Sequence, residues 1–436
     1  MITKKEDIVL FWFRRDLRLD DNAGLFHALQ SGLKVLTIFI FDKIILDKLN
    51  DKSDARVNFI HQQIELLNLQ LKKYNSTLLC FYSFPLDAFK EIIQKYSIQA
   101  VYANNDYEPY SIKRDKEISD FLAENGIEFR SYKDQVIFEK EDILKPDSKP
   151  YTIYTPYMKR WKQKLNITFY TSFPSEEFTE NFYSLDFKIP PGLNELGFQT
   201  SNFEFPDKIP QDIIIKDYEK QRNLPILSTT KMGIHLRFGT VSVRKLLQKA
   251  LILSETWLNE LIWREFFQMI IYHFPYSEKH SFKPAYDRIE WHNNEKEFES
   301  WCKGETGFLL IDAGMRELNQ SGFMHNRVRM LVASFLCKNL LIDWRWGEAY
   351  FADKLLDYDL SANVGNWQWA AGSGCDAAPY FRIFSPELQL GKFDKNHEYI
   401  KKWIPEYGTK DYSLPILDAK LTAKKAIEVY KKALNQ

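Results

Sequence analysis

No stretch of the 436-residue sequence approaches the ~20 consecutive apolar residues needed to span a bilayer, and the opening Met-Ile-Thr-Lys-Lys-Glu-Asp lacks the apolar core of a signal peptide. A soluble, cytoplasmic protein with no membrane partner is therefore expected. Cysteine is scarce: Cys80, Cys302, Cys337 and Cys375 show no CxxC spacing and no neighbouring histidines, which excludes a disulfide framework and gives no reason to place a metal. Net charge is also missing, since 59 Lys+Arg balance 59 Asp+Glu, so any nucleic-acid contact must come from a local basic face. There is no internal repeat and no low-complexity segment. The first strand is not followed by GxGxxG; Arg14-Arg15-Asp16-Leu17-Arg18 stands there instead, which argues against a Rossmann-type dinucleotide site.

What the sequence has is length enough for two cores and a marked aromatic bias: nine of its 11 tryptophans lie at or after Trp257. Residues 7 to about 132 alternate short Val/Ile/Phe/Tyr-rich runs (7–13, 34–41, 76–83, 99–105, 128–132) with amphipathic stretches such as 55–73. That pattern predicts an α/β domain, a five-stranded parallel sheet with helices on both faces. Residues 133–205 lose the period and gain Pro, Ser, Thr and Tyr, reading as a connector that is partly helical around 157–165. From 206 to 436 helical periods dominate and an all-α domain is expected.

Three stretches of that helical half carry chemistry. In 257–267, Glu260, Trp263, Arg264 and Phe267 share a helix face by i, i+3, i+4, i+7 spacing. A carboxyl beside tryptophan on an apolar face must be paired or used, and Arg264 or Arg327 could simply pair it. In His325-Asn326-Arg327-Val328-Arg329-Met330, Asn326 and Met330 stand one turn apart and could face a shared cavity. Residues 356–369 place Asp357, Asp359, Asn363, Asn366, Trp367 and Trp369 within fourteen positions; Trp367 and Trp369, two apart, point in different directions.

From Tyr218 to Pro405 the chain resembles the photolyase/cryptochrome family, and within it the class I cyclobutane pyrimidine dimer photolyases. The motifs are 11–18 with Asp21-Asn22, 301–314, 322–346 and 376–386. The resemblance implies an N-terminal antenna domain, an FAD held deep in the helical domain as FADH⁻, and light-driven electron transfer that splits a dimer flipped out of DNA. Tyr218, Thr229, Thr230, Lys231, Met232 and Gly233 match the segment around the pyrophosphate, where hydroxyls and backbone N–H groups suit anionic oxygens. Lys231 stands where arginine is common, and Gly233 replaces a serine. Trp257, Glu260, Arg264, Asn326, Arg329, Asp357, Asp359 and Asn363 match further cofactor positions, with Arg329 expected to pair Asp357. Asn363 matches the residue facing flavin N5, where an amide can accept the N5–H of reduced flavin without adding a second negative charge. Plant-type cryptochromes usually carry aspartate there.

The same resemblance assigns Glu260, Trp263, Asn326, Arg327, Met330 and Trp369 to the dimer pocket, with Glu260, Asn326, Met330, Trp263, Trp369 and Asn363 as the catalytic set. Repair enzymes for the (6-4) photoproduct carry histidines in place of Asn326 and Met330. Trp291, Trp344 and Trp367 match a three-tryptophan electron relay. Phe323 stands where dimer photolyases often have tryptophan, and only a packing difference is expected. Lys279 and Lys283, with His280, Arg288 and Arg382 nearby, are candidate phosphate contacts. Asp106 and Glu108, in Asn105-Asp106-Tyr107-Glu108-Pro109-Tyr110, resemble the segment touching a second, antenna chromophore, with deazaflavin or flavin favoured over folate. A monomer acting on dimer-containing DNA is expected. The rival readings are a signalling cryptochrome, marked by a lost dimer pocket, and a non-photochemical flavin-binding module.

Overall fold

The computed structural model describes residues 5–435. Five strands form as the apolar runs require: β1 (Asp7–Phe13), β2 (Lys34–Asp42), β3 (Leu78–Ser83), β4 (Ser97–Asn104) and β5 (Glu128–Tyr132). All neighbours are parallel, in the order β3-β2-β1-β4-β5. Every residue of central β1 after Asp7 is buried, whereas edge strand β5 is largely wet, so the most continuous apolar run is the one covered on both faces.

Where GxGxxG was missing, the basic turn after β1 builds a buried ionic network. The Asp134 carboxylate accepts from Arg18 Nη2 at 2.7 and 2.8 Å and from Arg244 Nη2 at 2.8 Å, and Arg244 Nε donates to Asp21 Oδ1 at 2.9 Å. Burial alone would raise the Asp134 carboxyl, but the two guanidiniums overcome it and hold it at about 2. Gly239 is needed beside this turn: its φ is +62°, and a Cβ there would stand 2.0 Å from the Arg15 carbonyl oxygen.

The compact units cut the chain differently from the contiguous segments expected. One comprises residues 1–142, 164–208 and 232–252; the other comprises 143–163, 209–231 and 253–436. The expected connector is thus divided. Its later part lines the sheet unit, with Tyr183 N donating to Val35 O at 2.8 Å and Asn68 Nδ2 to Lys188 O at 2.7 Å. Part of what was read as the helical domain, including Arg244, also belongs to the sheet unit.

The second unit is helical as expected. The helices that matter for the site are α1 (Tyr154–Lys164), α2 (Glu255–His273), α3 (Leu309–Ser321), α4 (Asn326–Ser334), α5 (Trp344–Lys354), α6 (Leu360–Ala371) and α7 (Ala419–Leu434). Trp301, Trp344 and Trp367 sit in its core with Leu310, Val328 and Phe351. No helix among the described residues is long and apolar enough to cross a membrane.

Candidate functional site

A solvent-open cleft enclosing about 610 Å³ of empty space lies between α4, α5 and α6, and its wall includes Asn326, Arg329, Met330, Asp357, Asp359, Asn363, Trp367 and Trp369. Asn326 and Met330 face one cavity as their one-turn spacing suggested, and the stretch 356–369 lines the same cavity. His325 starts α4 by accepting from Arg327 N at its Nδ1 (3.1 Å); burial, then the nearby Arg329 and Arg327 charges, lower it to about 4, so the ring stays neutral. This cap turns Asn326 and Met330 inward. Asp359 caps α6 through Ala362 N at 3.2 Å, which places Asn363 one turn along the helix.

Arg329 donates from Nη2 to both oxygens of Asp357, at 3.1 and 3.0 Å, and from Nε to Met324 O at 2.7 Å, confirming the expected pair. Asn363 spends both Nδ2 protons on Glu348, one on its backbone oxygen (3.0 Å) and one on Oε1 (2.8 Å). This leaves Oδ1 as the acceptor of a side chain that lines the cavity. Burial pushes Glu348 up to about 7, with the Asn363 amide pulling the other way. The donor set fits a flavin: one open amide acceptor, carboxylates able to accept ring or ribose hydrogens, a neutralising arginine, and apolar Met330 and Trp367 surfaces.

On α2, Glu260 pairs with Arg222, Nη1 to Oε1 at 2.7 Å. Arg327, one of the two partners expected, instead donates to Asn223 Oδ1 at 3.1 and 2.6 Å, and Arg264 lies half-buried one turn beyond Glu260. Burial raises the Glu260 carboxyl above its ordinary range, and Arg222 and the Tyr218 hydroxyl offset this only in part. Trp257 is buried, and its backbone N–H donates to the N-cap Ser254 Oγ at 3.3 Å. Trp263 stacks face to face on Tyr154, ring centres 3.6 Å apart and planes 5° from parallel.

The loop Thr229-Thr230-Lys231 belongs to the helical unit, whereas Met232 and Gly233, opening a six-residue helix, belong to the sheet unit. The Lys231 ammonium lies 4.7 Å from the Phe323 ring centre and the Arg329 guanidinium 5.4 Å from it. Phe323 thus does more than pack, because its ring faces take two cations. Lys279, Lys283 and Arg382 are exposed.

The three relay candidates belong to one hydrophobic cluster, Trp344 and Trp367 buried within it and Trp291 packed against it. Trp367 packs over Gly347, one turn from Trp344 on α5. The residues after Trp291 are strapped to the start of α5, with His292 N donating to Leu341 O at 2.7 Å and Asp343 N to Asn293 Oδ1 at 2.8 Å. The Trp344 indole N–H is buried with no hydrogen-bond partner among the described residues.

In the sheet unit, Glu108 Oε1 accepts from Arg15 Nη1 at 2.9 Å and Arg237 Nη1 at 2.5 Å, and Asp106 Oδ1 accepts from Arg15 Nη1 at 3.3 Å. These carboxylates tie the segment after β4 to Arg15 and Arg237. Burial would raise Asp106, but Arg15, Arg237 and their neighbours hold it well below the usual carboxylate range.

Sequence reasoning missed Arg222, Tyr154 and Glu348. Arg222 alone had a local signal, lying one helical turn after Tyr218 with its guanidinium 5.4 Å from that ring.

Residues 9–177 match the family model for DNA photolyase, and residues 257–426 match that for the FAD binding domain of DNA photolyase. The deoxyribodipyrimidine photo-lyase of Synechococcus sp. is 34% identical over 468 residues, covering 97% of this chain and 96% of that protein. The chain belongs to the DNA photolyase family. The deoxyribodipyrimidine photo-lyase of Escherichia coli is likewise 34% identical, covering 91% of this chain and 89% of its own. Among solved structures, a bacterial class III photolyase from Agrobacterium tumefaciens superposes with a TM-score of 0.87 at 29% identity, covering 100% of this chain and 99% of that one. An archaeal photolyase from Sulfolobus tokodaii, solved with two FAD molecules, gives 0.83 at 33% identity, covering 98% of this chain and all of that one. A cryptochrome from Synechocystis sp. gives 0.86 at 26% identity, covering 98% of this chain and all of that one. The photolyase fold thus spans both units.

Proposed function

We propose that this photolyase splits cyclobutane pyrimidine dimers in DNA under blue or near-ultraviolet light, using reduced FAD in the cleft between α4, α5 and α6. The observation that carries the reading is Asn363: Glu348 takes both amide protons, which leaves Oδ1 as its acceptor, and Asn363 lines the cleft with Asn326, Met330 and Trp369. FAD, when bound and reduced, supplies the electron that opens the dimer and takes it back afterwards.

The remaining chemistry belongs to the chain. Arg329, Asp357, Asp359 and Asn363 hold the ring and ribose, and Tyr218, Thr229, Thr230 and Lys231 serve the phosphates. Trp263 and Trp369 offer π surface to the two fused pyrimidines, while Asn326 and Met330 shape the space beside them. Glu260, its carboxyl raised by burial, hydrogen-bonds the pyrimidine edge and stabilises the charge that develops there. Arg222 holds it until substrate arrives. Trp291, Trp344 and Trp367 conduct an electron from the surface to the cleft wall. Lys279, Lys283, Arg327 and Arg382 meet the DNA backbone. A second chromophore in the sheet unit would be a deazaflavin or a flavin rather than a folate, near a segment in which the Asp106 and Glu108 charges are already matched by Arg15 and Arg237.

The test is blue illumination of prereduced enzyme with a thymine-dimer oligonucleotide, following recovery of thymine absorbance. Light-dependent recovery is expected. No recovery with reduced FAD intact would overturn the repair reading in favour of a signalling cryptochrome of the same fold.

A further inference from the structure

Trp263 does not stand alone in its pocket. Tyr154, from the segment 143–163 that the sequence placed in a connector, covers one face of the indole at van der Waals distance. The tyrosine is fixed at two points: its backbone N–H donates to Asp376 Oδ2 at 3.0 Å, and its hydroxyl donates to the backbone oxygen of Asn259 at 3.0 Å. Asn259 lies one turn before Trp263 on α2, so the phenol lies along that turn of the helix. Farther along α1, Tyr157 Oη (3.2 Å) and Trp161 Nε1 (2.5 Å) both donate to Glu265 Oε1, clamping α1 to α2. Tyr154 is 7% exposed, which is the burial of a wall and not of a lid. Trp263 keeps partial exposure.

A pocket indole free to rotate loses entropy each time a base stacks on it, and one already held in plane does not. We propose that Tyr154 is a positioning residue for dimer recognition: it supports one face of Trp263 so that the other is presented at a fixed angle to the incoming pyrimidine. Through Asp376, at the head of the 376–386 loop, it ties that loop to the same point. This rests on the dimer-repair reading above.

The test compares Tyr154→Met, which fills the volume without a π face, with Tyr154→Phe, which keeps the stack. Affinity is measured for an oligonucleotide with one thymine dimer and for its undamaged counterpart, alongside FAD content and the rate of flavin photoreduction. Tyr154→Met is expected to weaken dimer binding about 2- to 10-fold, with undamaged-DNA affinity, FAD content and photoreduction unchanged, and Tyr154→Phe to restore most of the loss. Wild-type dimer affinity in Tyr154→Met, tighter binding as from a removed lid, or a parallel fall in all four readouts overturns the proposal. If Tyr154→Met does not accumulate as holoenzyme, Asp376→Ala releases the backbone anchor and is expected to weaken dimer binding about twofold. No change there also overturns it. A wild-type enzyme that does not distinguish dimer from undamaged DNA fails the repair reading itself, whatever the variants do.

Discussion

Gly347 makes the room in which Trp367 lies: a Cβ at 347 would stand 2.1 Å from Trp367 Cη2 and 2.4 Å from Cζ3. A methyl there must displace the indole, because the helix backbone cannot yield. Gly347→Ala is expected to cost about 1–3 kcal/mol of stability and to slow flavin photoreduction, as Trp367→Phe should block it. Dimer repair by chemically prereduced enzyme should survive in both. Flavin absorbance under blue light, read against repair of the same preparation, checks this; full-speed photoreduction in Trp367→Phe would remove that residue from the relay.

Glu348 gives the site a pH dependence. Its carboxyl is raised from 4.5 to about 7, burial being the main cause. Between those values the folded chain holds a proton that the unfolded chain has lost, so stability falls as pH rises from about 4.5 to 7, by about 3 kcal/mol at most. Glu348→Gln removes that slope and keeps a side-chain oxygen to accept from Asn363. The variant is expected to gain on the parent in thermal melts as pH rises, with the difference levelling above pH 7. A constant difference between pH 5 and 8 would show that Glu348 does not titrate there.

At Glu260, truncation should be felt in chemistry more than in binding. Loss of one charge-assisted hydrogen bond is worth about 1.5 kcal/mol, so Glu260→Ala should cut dimers split per absorbed photon by about tenfold, with a modest change in dimer affinity. Actinometry at saturating substrate reads this directly. An equal loss of affinity at constant yield would make Glu260 a binding residue only.

Asp134 is the exposed point of the sheet unit's stability. Removing it leaves Arg18 and Arg244 buried beside an empty site, and Asp134→Ala is expected to cost about 3–5 kcal/mol. Its depressed carboxyl contributes stability above the ordinary aspartate value, and that stability is lost as pH falls from about 4 toward 2. Acid titration followed by circular dichroism should show the parent losing stability in this window while Asp134→Ala, already weakened, loses less.

For the DNA backbone, Lys279→Ala and Lys283→Ala should each weaken binding to damaged and undamaged duplexes alike. Each should also lower the slope of log affinity against log salt by about 1. An unchanged slope would show the side chain to be merely solvated.

Much of this was legible in the sequence because it is local. Alternating apolar runs gave five strands within a residue or two of their ends, and one-turn spacing placed Asn326 beside Met330 and Asn363 after Asp359. Partners brought together only by folding were not legible. Spacing rules offered Arg264 to Glu260, one turn away, but the guanidinium that arrives is Arg222, from the far side of a Pro-containing loop. Tyr154 sat in a stretch with no period of its own, so nothing marked it as the neighbour of Trp263. Asp106 and Glu108 matched an antenna motif, yet a one-dimensional reading has no view of Arg237, which neutralises Glu108.

The interleaving of the two units bears on how the chain is made. Asp21 and Asp134 leave the ribosome long before Arg244, so the sheet unit carries two buried carboxylates without one of the guanidiniums that pair them until residues 232–252 emerge. A fragment ending near residue 205, at the apparent border, would keep every strand and still lack the cation that completes its interior.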